Sequence, residues 1–192
     1  MYHKKTQKAL YFDSNCGIWN GTKFEHEISK KLTETKNKYA LINMNISRFR
    51  FINDTYGREK GNEVLRLFAK HIKENFIKND ENYGTLWADY FVILVEYSSE
   101  DEIKNRFESF VADFQLSAEK ICSFRFIIKA GVAITEPEIT NKFSTLLEQA
   151  NHAVNSISDP FESQIVFFTN KMSKRKDDKN IITDNCMRPE EF

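Results

Sequence analysis

The chain has 192 residues, of which 41% are hydrophobic and 29% are charged, as is typical of a soluble globular protein. Lys plus Arg and Asp plus Glu both total 28, so the formal net charge is zero, which argues against a nucleic-acid-binding domain. The sequence has no apolar run of about 18 residues and no signal peptide, so no membrane segment is expected and a cytoplasmic location is predicted.

The first part of the chain predicts a lead-in, a helix and a strand. Residues 1–10 are mostly polar and basic and are interpreted as a lead-in. Asn20 ends a turn-rich segment and is a suitable N-cap for a helix whose apolar residues recur on one face through about residue 35. Residues 39–46 (YALINMNI) predict a strand, with Asn45 near its C-terminal end.

Two helical segments and a hairpin follow. Residues 48–55 predict a short helical turn, and residues 58–76 predict a longer helix with an apolar stripe. Residues 81–96 predict a β-hairpin, because the apolar run that begins at Phe91 is typical of a buried strand. Asp89 is the one acid at the hairpin tip.

The rest of the chain predicts a further helix, strand, helix and strand. These are residues 99–116, residues 124–135 with a break at Gly131, residues 143–157 and residues 165–168. Strands that alternate with helices, with one pair joined as a hairpin, indicate an α/β fold with a five-stranded mixed central sheet flanked by helices.

Three segments would meet if the central strands pair, and one of them is the connection at residues 48–62. Asn45 ends one strand and Asp89 lies at the hairpin tip. Two acids at such places can hold Mg²⁺, but an amide brings no charge to offset a dication. Simpler interpretations are a strand-end amide for Asn45, a turn acid for Asp89 and a solvated helix-face cation for Arg50. The four histidines lack metal-ligand spacing, and no metal site is predicted.

Five segments, in the right order, resemble the GGDEF family of diguanylate cyclases, whose fold is a nucleotidyl-cyclase palm. The segment RFRFINDTYG, followed by GNEVL, resembles the family pattern around I-N-D-x-x-G and its later G-D. TLWADYF falls where the family has R-[LI]-G-G-[DE]-E-F. The family's opening element, D-x-L-T-G-L-x-N, is also matched. So are its later elements, S-x-G-[IV]-A and L-L-x-x-A-D-x-A-L. The matching segments are residues 13–20, 48–65, 85–91, 131–134 and 146–154, within a domain assigned to residues 11–169.

The resemblance implies a nucleotide site that this sequence alters. Asn45 stands for the first metal-binding acid and Ser47 for the second. Arg50 replaces the Lys that contacts phosphate. Asn53 is kept, and Asn62 replaces an Asp that reads guanine. The implied, vestigial nucleotide-binding residues are Asn45, Phe49, Arg50, Asn53, Asn62 and Asp89.

The family's signature loop, G-G-[DE]-E-F, corresponds here to Trp87, Ala88, Asp89, Tyr90 and Phe91. The family has glycine at the first two positions, where the backbone approaches phosphates. An indole there should fill the phosphate space or force another hairpin shape.

The family's other cation positions are also changed. Its late phosphate-binding Lys and Arg fall on Ser158 and Glu162, and its inhibitory product site falls on Lys78 and Glu81.

These changes predict that the chain has no catalytic residues and no cyclase activity, because phosphoryl transfer depends on positioning and charge neutralisation. The expected function is a regulatory or dimerisation module in cyclic di-GMP signalling, with linked or partner signalling domains and a homodimer as candidate partners. The alternatives are a GTP-binding sensor that controls a linked EAL phosphodiesterase and a weakly active cyclase. No cofactor is expected unless the sensor binds GTP and Mg²⁺.

Residues 170–192 are charged and end in NCMRPEEF. They resemble the linker that joins a GGDEF domain to a downstream EAL domain, with a plain polar tail as the alternative.

Overall fold

The computed structural model describes residues 10–78, 81–136 and 141–172. The helices are α1 (Gly21–Glu34), α2 (Phe49–Tyr56), α3 (Arg58–Phe76), α4 (Glu100–Ala118) and α5 (Phe143–Asn155). The strands are β1 (Trp19–Asn20), β2 (Tyr39–Ile46), β3 (Asn82–Trp87), β4 (Tyr90–Glu96), β5 (Ile128–Ile134) and β6 (Gln164–Phe167).

The strands form one mixed sheet in the order β1-β3-β4-β2-β5-β6. The predicted mixed sheet flanked by helices is confirmed, but it has six strands rather than five. The additional strand, β1, has only two residues and pairs parallel with β3. Its partner Gly84 allows this approach, because a Cβ there would lie 2.7 Å from the carbonyl oxygen of Trp19.

The sheet separates two apolar cores. Alternate residues of β2 point to opposite faces, so Ile42 and Met44 pack with α3 and α4 while Leu41 packs with α1 and α5. The first core is rich in phenylalanine: the Phe68 ring lies 4.8 Å from that of Phe91, between centroids. Residues of β4 enter both cores, which explains why this strand is apolar from Phe91 to Val95.

Local signals placed most helices correctly. Asn20 caps α1, and its side chain accepts a hydrogen bond from the Lys23 amide at 3.0 Å. The helix predicted at residues 58–76 matches α3. The strand predicted from residue 124 begins only at Ile128, since the preceding aromatic residues pack in a loop.

Gly131 does not break β5, contrary to the prediction. It pairs with Asn43 in regular register. A Cβ at Gly131 would lie 2.1 Å from the carbonyl oxygen of Ala150 and 2.6 Å from the amide nitrogen of Val154. Glycine is needed here because α5 lies directly on the strand.

A buried ion pair joins the start of the hairpin to α4. Arg106 lies 3.0 Å from the Glu81 carboxylate, and their side chains are only 9% and 5% exposed. Arg106 also donates to the Phe76 carbonyl at 2.8 Å and pairs with Glu102 at 2.6 Å. Lys78 binds the same Glu102 at 2.8 Å. Two positions of the implied product site are therefore occupied by ion pairs within the protein.

No helix in the described ranges is long and apolar enough to cross a bilayer. The linker assigned to residues 170–192 lies outside the described residues from residue 173 onward, as does the lead-in up to residue 9.

Removing the buried cation should destabilise the fold strongly. Arg106→Met would leave Glu81 as an uncompensated buried carboxylate, with an expected loss of about 3–5 kcal/mol in the free energy of unfolding. Urea denaturation measures it. The matched control is Lys104→Ala, since Lys104 pairs with Glu100 on the exposed surface and should contribute less than about 1 kcal/mol. Similar small losses in both variants would contradict the role assigned to the buried pair.

The same network should make stability depend on pH. Hydrogen bonds from Lys78, Ser98 and Arg106 lower the pKa of Glu102 to about 2. Because the pKa is lower in the folded state than in the unfolded state, the carboxylate stabilises the fold above its unfolded pKa, and this contribution is lost as the pH falls toward 2. The stability difference between the wild type and Glu102→Gln should shrink between pH 7 and pH 3. Glu34→Gln, in an exposed pair with Lys30, should change little at either pH.

Candidate functional site

Four side chains stand side by side at one end of the sheet. Trp87 pairs with Tyr90, Tyr90 with Asn45, and Asn45 with Lys129, across β3, β4, β2 and β5. Directly opposite residues on neighbouring strands have Cβ atoms about 4.5–5.5 Å apart and share one face. We call Trp87, Tyr90, Asn45 and Lys129 the end row.

The end row lies on the face covered by α1 and α5. Asn43, two residues before Asn45, donates through its side-chain amide to Asn151 of α5 at 2.5 Å. Lys129 donates from Nζ to the carbonyl oxygen of Ile157 at 3.3 Å, just beyond the end of α5. The Lys129 ammonium is thus held next to Ser158, the position of the family's late lysine.

The hairpin turn holds its acid against the end of β2. Ala88 adopts a left-handed conformation with φ of 47°, so alanine occupies a backbone shape that glycine adopts more easily. The Asp89 carboxylate accepts hydrogen bonds from its own amide and from the amide of Ile46. Burial nevertheless raises the pKa of the Asp89 carboxyl above its usual value. Asn45 and Asp89 therefore do come together, as the sequence predicted.

The two aromatic residues of the signature loop pack on each other. The centroids of the Trp87 and Tyr90 rings are 5.1 Å apart with an angle of 33° between the planes. Trp87 remains 58% exposed. The hairpin keeps a two-residue turn, with an irregular register between Thr85 and Trp87. Phe91, the last residue of the loop, is fully buried.

Asn45 has an unmet hydrogen-bonding group. Its side-chain oxygen is buried, with no hydrogen-bond partner in the described structure. The side-chain oxygen of Asn43 is also buried and has no hydrogen-bond partner in the described structure. A buried polar oxygen without a donor is costly, so the position of Asn45 favours a donor from water or a ligand.

The end row fits a divalent cation poorly. Its four side chains carry one formal charge, the positive charge of Lys129, whereas Mg²⁺ prefers carboxylate oxygens. The nearby Asp89 carboxylate already accepts hydrogen bonds from two backbone amides. Within residues 10–78, 81–136 and 141–172, no three His, Cys, Asp or Glu side chains form a group that could hold a metal ion.

The residues implied in guanine recognition lie on α2 and α3, the two helices that follow β2 in the chain. Asn53 packs over Gly61, where an added Cβ would lie 2.0 Å from the Asn53 side-chain oxygen. Phe49 is buried beside the same glycine. Asn62 is exposed, and its carbonyl accepts a hydrogen bond from Asn15 at 3.2 Å.

The predicted phosphate-contacting cation, Arg50, points into solvent. Its side chain is 93% exposed, and its closest charged contact is Asp54 at 3.7 Å on the same helix. Ser158 and Glu162 are both exposed after α5.

Sequence reasoning missed Lys129. It occupies the serine position of the family's S-x-G element, immediately before Ala130 and Gly131. That mismatch in an otherwise matching element was the available signal. Its meaning depends on the β2–β5 register, which places the lysine opposite Asn45.

Residues 10–159 match the sequence profile described as "Diguanylate cyclase, GGDEF domain". The match covers most of the 192 residues, and the chain belongs to the GGDEF family.

Two curated relatives match parts of the chain. The Bacillus subtilis "Uncharacterized protein YhcK" is 33% identical over an alignment of 118 residues that covers 57% of this chain and 32% of YhcK. The Vibrio cholerae diguanylate cyclase VdcA is 32% identical over 69 residues, which are 36% of this chain and 20% of VdcA. The aligned part thus spans a third or less of each relative.

Solved structures share the fold. The coiled coil and GGDEF domain of DgcB from Caulobacter crescentus, in complex with cyclic di-GMP, gives a TM-score of 0.75 at 15% identity, covering 86% of this chain and 90% of that one. The S helix-GGDEF-EAL structure of Vibrio cholerae LapD, bound to cyclic di-GMP, gives 0.70 at 16% identity, covering 96% and 45%.

The raised pKa of Asp89 predicts that its ionisation weakens the fold. Because the folded pKa exceeds the unfolded one, the favourable contribution is present at low pH and is lost as the pH rises through the folded pKa. Asp89→Asn keeps an oxygen for the Ile46 amide, so it should gain stability relative to the wild type between pH 3 and pH 7. Thermal melts across this range measure the difference. Asp54→Asn, at an exposed site, is the control, and an equal gain there would contradict the assignment to Asp89.

Proposed function

We propose that this chain is a non-catalytic GGDEF domain that serves as a regulatory or dimerisation module in cyclic di-GMP signalling. The family membership supports the signalling context. The loss of cyclase activity is our interpretation of the site.

The end row carries this proposal. In a cyclase, metal ions and cations must neutralise the charge that develops on the transferring phosphoryl group. Here the position of the first metal-binding acid is the neutral Asn45, with Tyr90 on one side and the positively charged Lys129 on the other. A neighbouring ammonium repels a divalent cation, so the arrangement disfavours metal more than the loss of one carboxylate alone would.

A linked EAL domain fits the remaining features. The likeness to LapD, a protein with S helix, GGDEF and EAL parts, extends over 96% of this chain. The resemblance of residues 170–192 to a GGDEF–EAL linker motivates the same interpretation. We propose on this basis that the domain acts on a linked EAL domain in the cytoplasm.

A GTP-binding sensor is the second candidate. Asn53 keeps its place over Gly61, so the part of the site that the family uses for guanine is less altered than the end row. Such a domain would hold nucleotide without turnover and pass its occupancy to the linked domain. A weakly active cyclase that relies on Asp89 is the third candidate. It is included because the relative VdcA is named as a diguanylate cyclase.

The decisive experiment incubates the chain with GTP and either Mg²⁺ or Mn²⁺ and analyses the products by chromatography. We expect no cyclic di-GMP above the protein-free control. Formation of cyclic di-GMP that scales with protein concentration would refute the proposal and support the third candidate.

A metal-binding measurement tests the charge argument independently of turnover. The wild type should show no saturable Mn²⁺ binding by calorimetry at millimolar metal. The combined variant Asn45→Asp/Trp87→Gly/Ala88→Gly/Tyr90→Glu adds two carboxylates and should bind Mn²⁺ measurably. Equal binding by both proteins would show that the end row does not decide metal affinity.

A further inference from the structure

We propose that a surface groove between α1 and α5 binds the segment of this chain that follows the described residues, residues 173–192. The basic residues near the start of that segment, at positions 174–176, would lie against the carboxylates of Glu25 and Glu148. This contact goes beyond the proposed function, because it does not depend on whether the domain is catalytic. The described residues that line the groove do not include the end row.

The groove has the size and surface to hold several side chains. Its volume is about 480 Å³, within the range of roughly 300–1,000 Å³ that is common for binding clefts. Phe143 and Leu147 of α5 give it an apolar part, on which the aliphatic stems of lysine and arginine can lie. Polar and charged residues line the remainder, among them Glu25, Glu148, Asn151 and Asn155.

The two carboxylates of the groove are open to a cationic partner. Glu25 is exposed and forms no ion pair with any residue that the structure describes. The Glu148 side chain is 74% exposed, and its nearest charged contact is the His152 imidazole at 3.7 Å. Between Asn170 and Asp177 the sequence has four basic residues and no acid. Opposite charges therefore favour contact between the groove and this part of the chain.

The last described residues lie next to the groove. Phe168 follows β6, and the centroid of its ring lies 6.3 Å from that of His152. His152 lines the groove. Lys174 comes six residues after Phe168 in the sequence. Six extended residues span up to roughly 20 Å, about twice the diameter of one helix, so the basic residues can cross α5 and reach both carboxylates.

An unmet acceptor beneath the groove favours an occupant that carries hydrogen-bond donors. Asn43 is only 2% exposed, and its side-chain amide donates to Asn151, which lines the groove, at 2.5 Å. The Asn43 side-chain oxygen has no partner in the described structure. Lysine and arginine side chains carry several donors and no acceptor, so they suit this group of amides better than acidic side chains would.

Cross-linking of the full 192-residue chain with a carbodiimide tests the contact, because this reagent joins a carboxylate to a lysine amine only where the two groups touch. The sample is an equal mixture of unlabelled and ¹⁵N-labelled protein at low concentration, and mass spectrometry identifies the linked peptides. We expect links from Glu25 or Glu148 to Lys174 or Lys176 within chains of a single isotope. Links found only between the two isotopes would assign the groove to a second copy and overturn the proposal.

Hydrogen exchange of the same chain gives a second readout. Glu25→Gln/Glu148→Gln removes both carboxylates from exposed positions and should leave the fold intact. The amides of residues 173–180 should exchange about fivefold faster in this variant than in the wild type, as expected for the loss of two exposed ion pairs. The matched control is Glu108→Gln/Asp113→Asn on α4, which removes two exposed charges from the opposite face of the sheet and should exchange like the wild type.

Two further results would overturn the inference: the absence of any link between the groove carboxylates and Lys174 or Lys176, or equal exchange of residues 173–180 in the wild type and in the folded Glu25→Gln/Glu148→Gln variant. Neither measurement involves GTP or cyclic di-GMP. A failure of this inference is therefore distinguishable from a failure of the proposed function, which the turnover experiment decides.

Discussion

The double pairing of the central strand β2 fixes where the candidate residues lie. β2 bonds to β4 on one side and to β5 on the other, in regular antiparallel register over most of its length. Both faces of the strand are buried, so a shift of one residue would move polar side chains into the cores. Asn45 is therefore held at a defined place between two strands that are distant in the sequence. The chemistry around Asn45 therefore depends on the side chains that β4 and β5 place beside it.

Those neighbours determine the sign of the local charge. A free carboxylate beside Asn45 would make the strand end attractive to metal ions, but Tyr90 is neutral, Lys129 is cationic, and the nearby Asp89 carboxylate is held by two backbone amides. The fold is kept because the substituted side chains stand at the rim of the sheet, where they do not fill either core. Phe91, one residue away, points inward and remains a core aromatic residue. Scaffold and site can diverge separately because adjacent strand residues face opposite directions.

Sequence reasoning succeeded where structure is local. Helix α3 follows from its own apolar spacing, and the cap at Asn20 follows from its side-chain chemistry. The two-residue strand β1 was missed because so short a segment has no periodicity and is defined by its pairing with Gly84 and Thr85 of β3. Gly131 was expected to break its strand, which is how isolated glycines often act. Glycine is needed at this position because the backbone of α5 lies against the strand. That contact joins Gly131 to Ala150, which local sequence patterns do not connect.

The candidate site was half predictable for the same reason. Asn45 and Asp89 were expected to meet because each ends a recognisable element. Lys129 lies within a strand, and nothing in its neighbouring residues indicates what faces it. The buried pair of Glu81 and Arg106 was also not foreseen, because it joins two elements by a contact rather than by a pattern.

The composition of the end row also has a consequence for the order in which the domain assembles. Trp87 and Tyr90 are neighbours in the chain and can meet as soon as the hairpin closes, whereas Asn45 and Lys129 meet only when strands separated by more than eighty residues have paired. Closing the longer loop costs more chain entropy and is slower. The tryptophan environment would therefore report an early event, and the lysine side of the row would form only with the complete sheet.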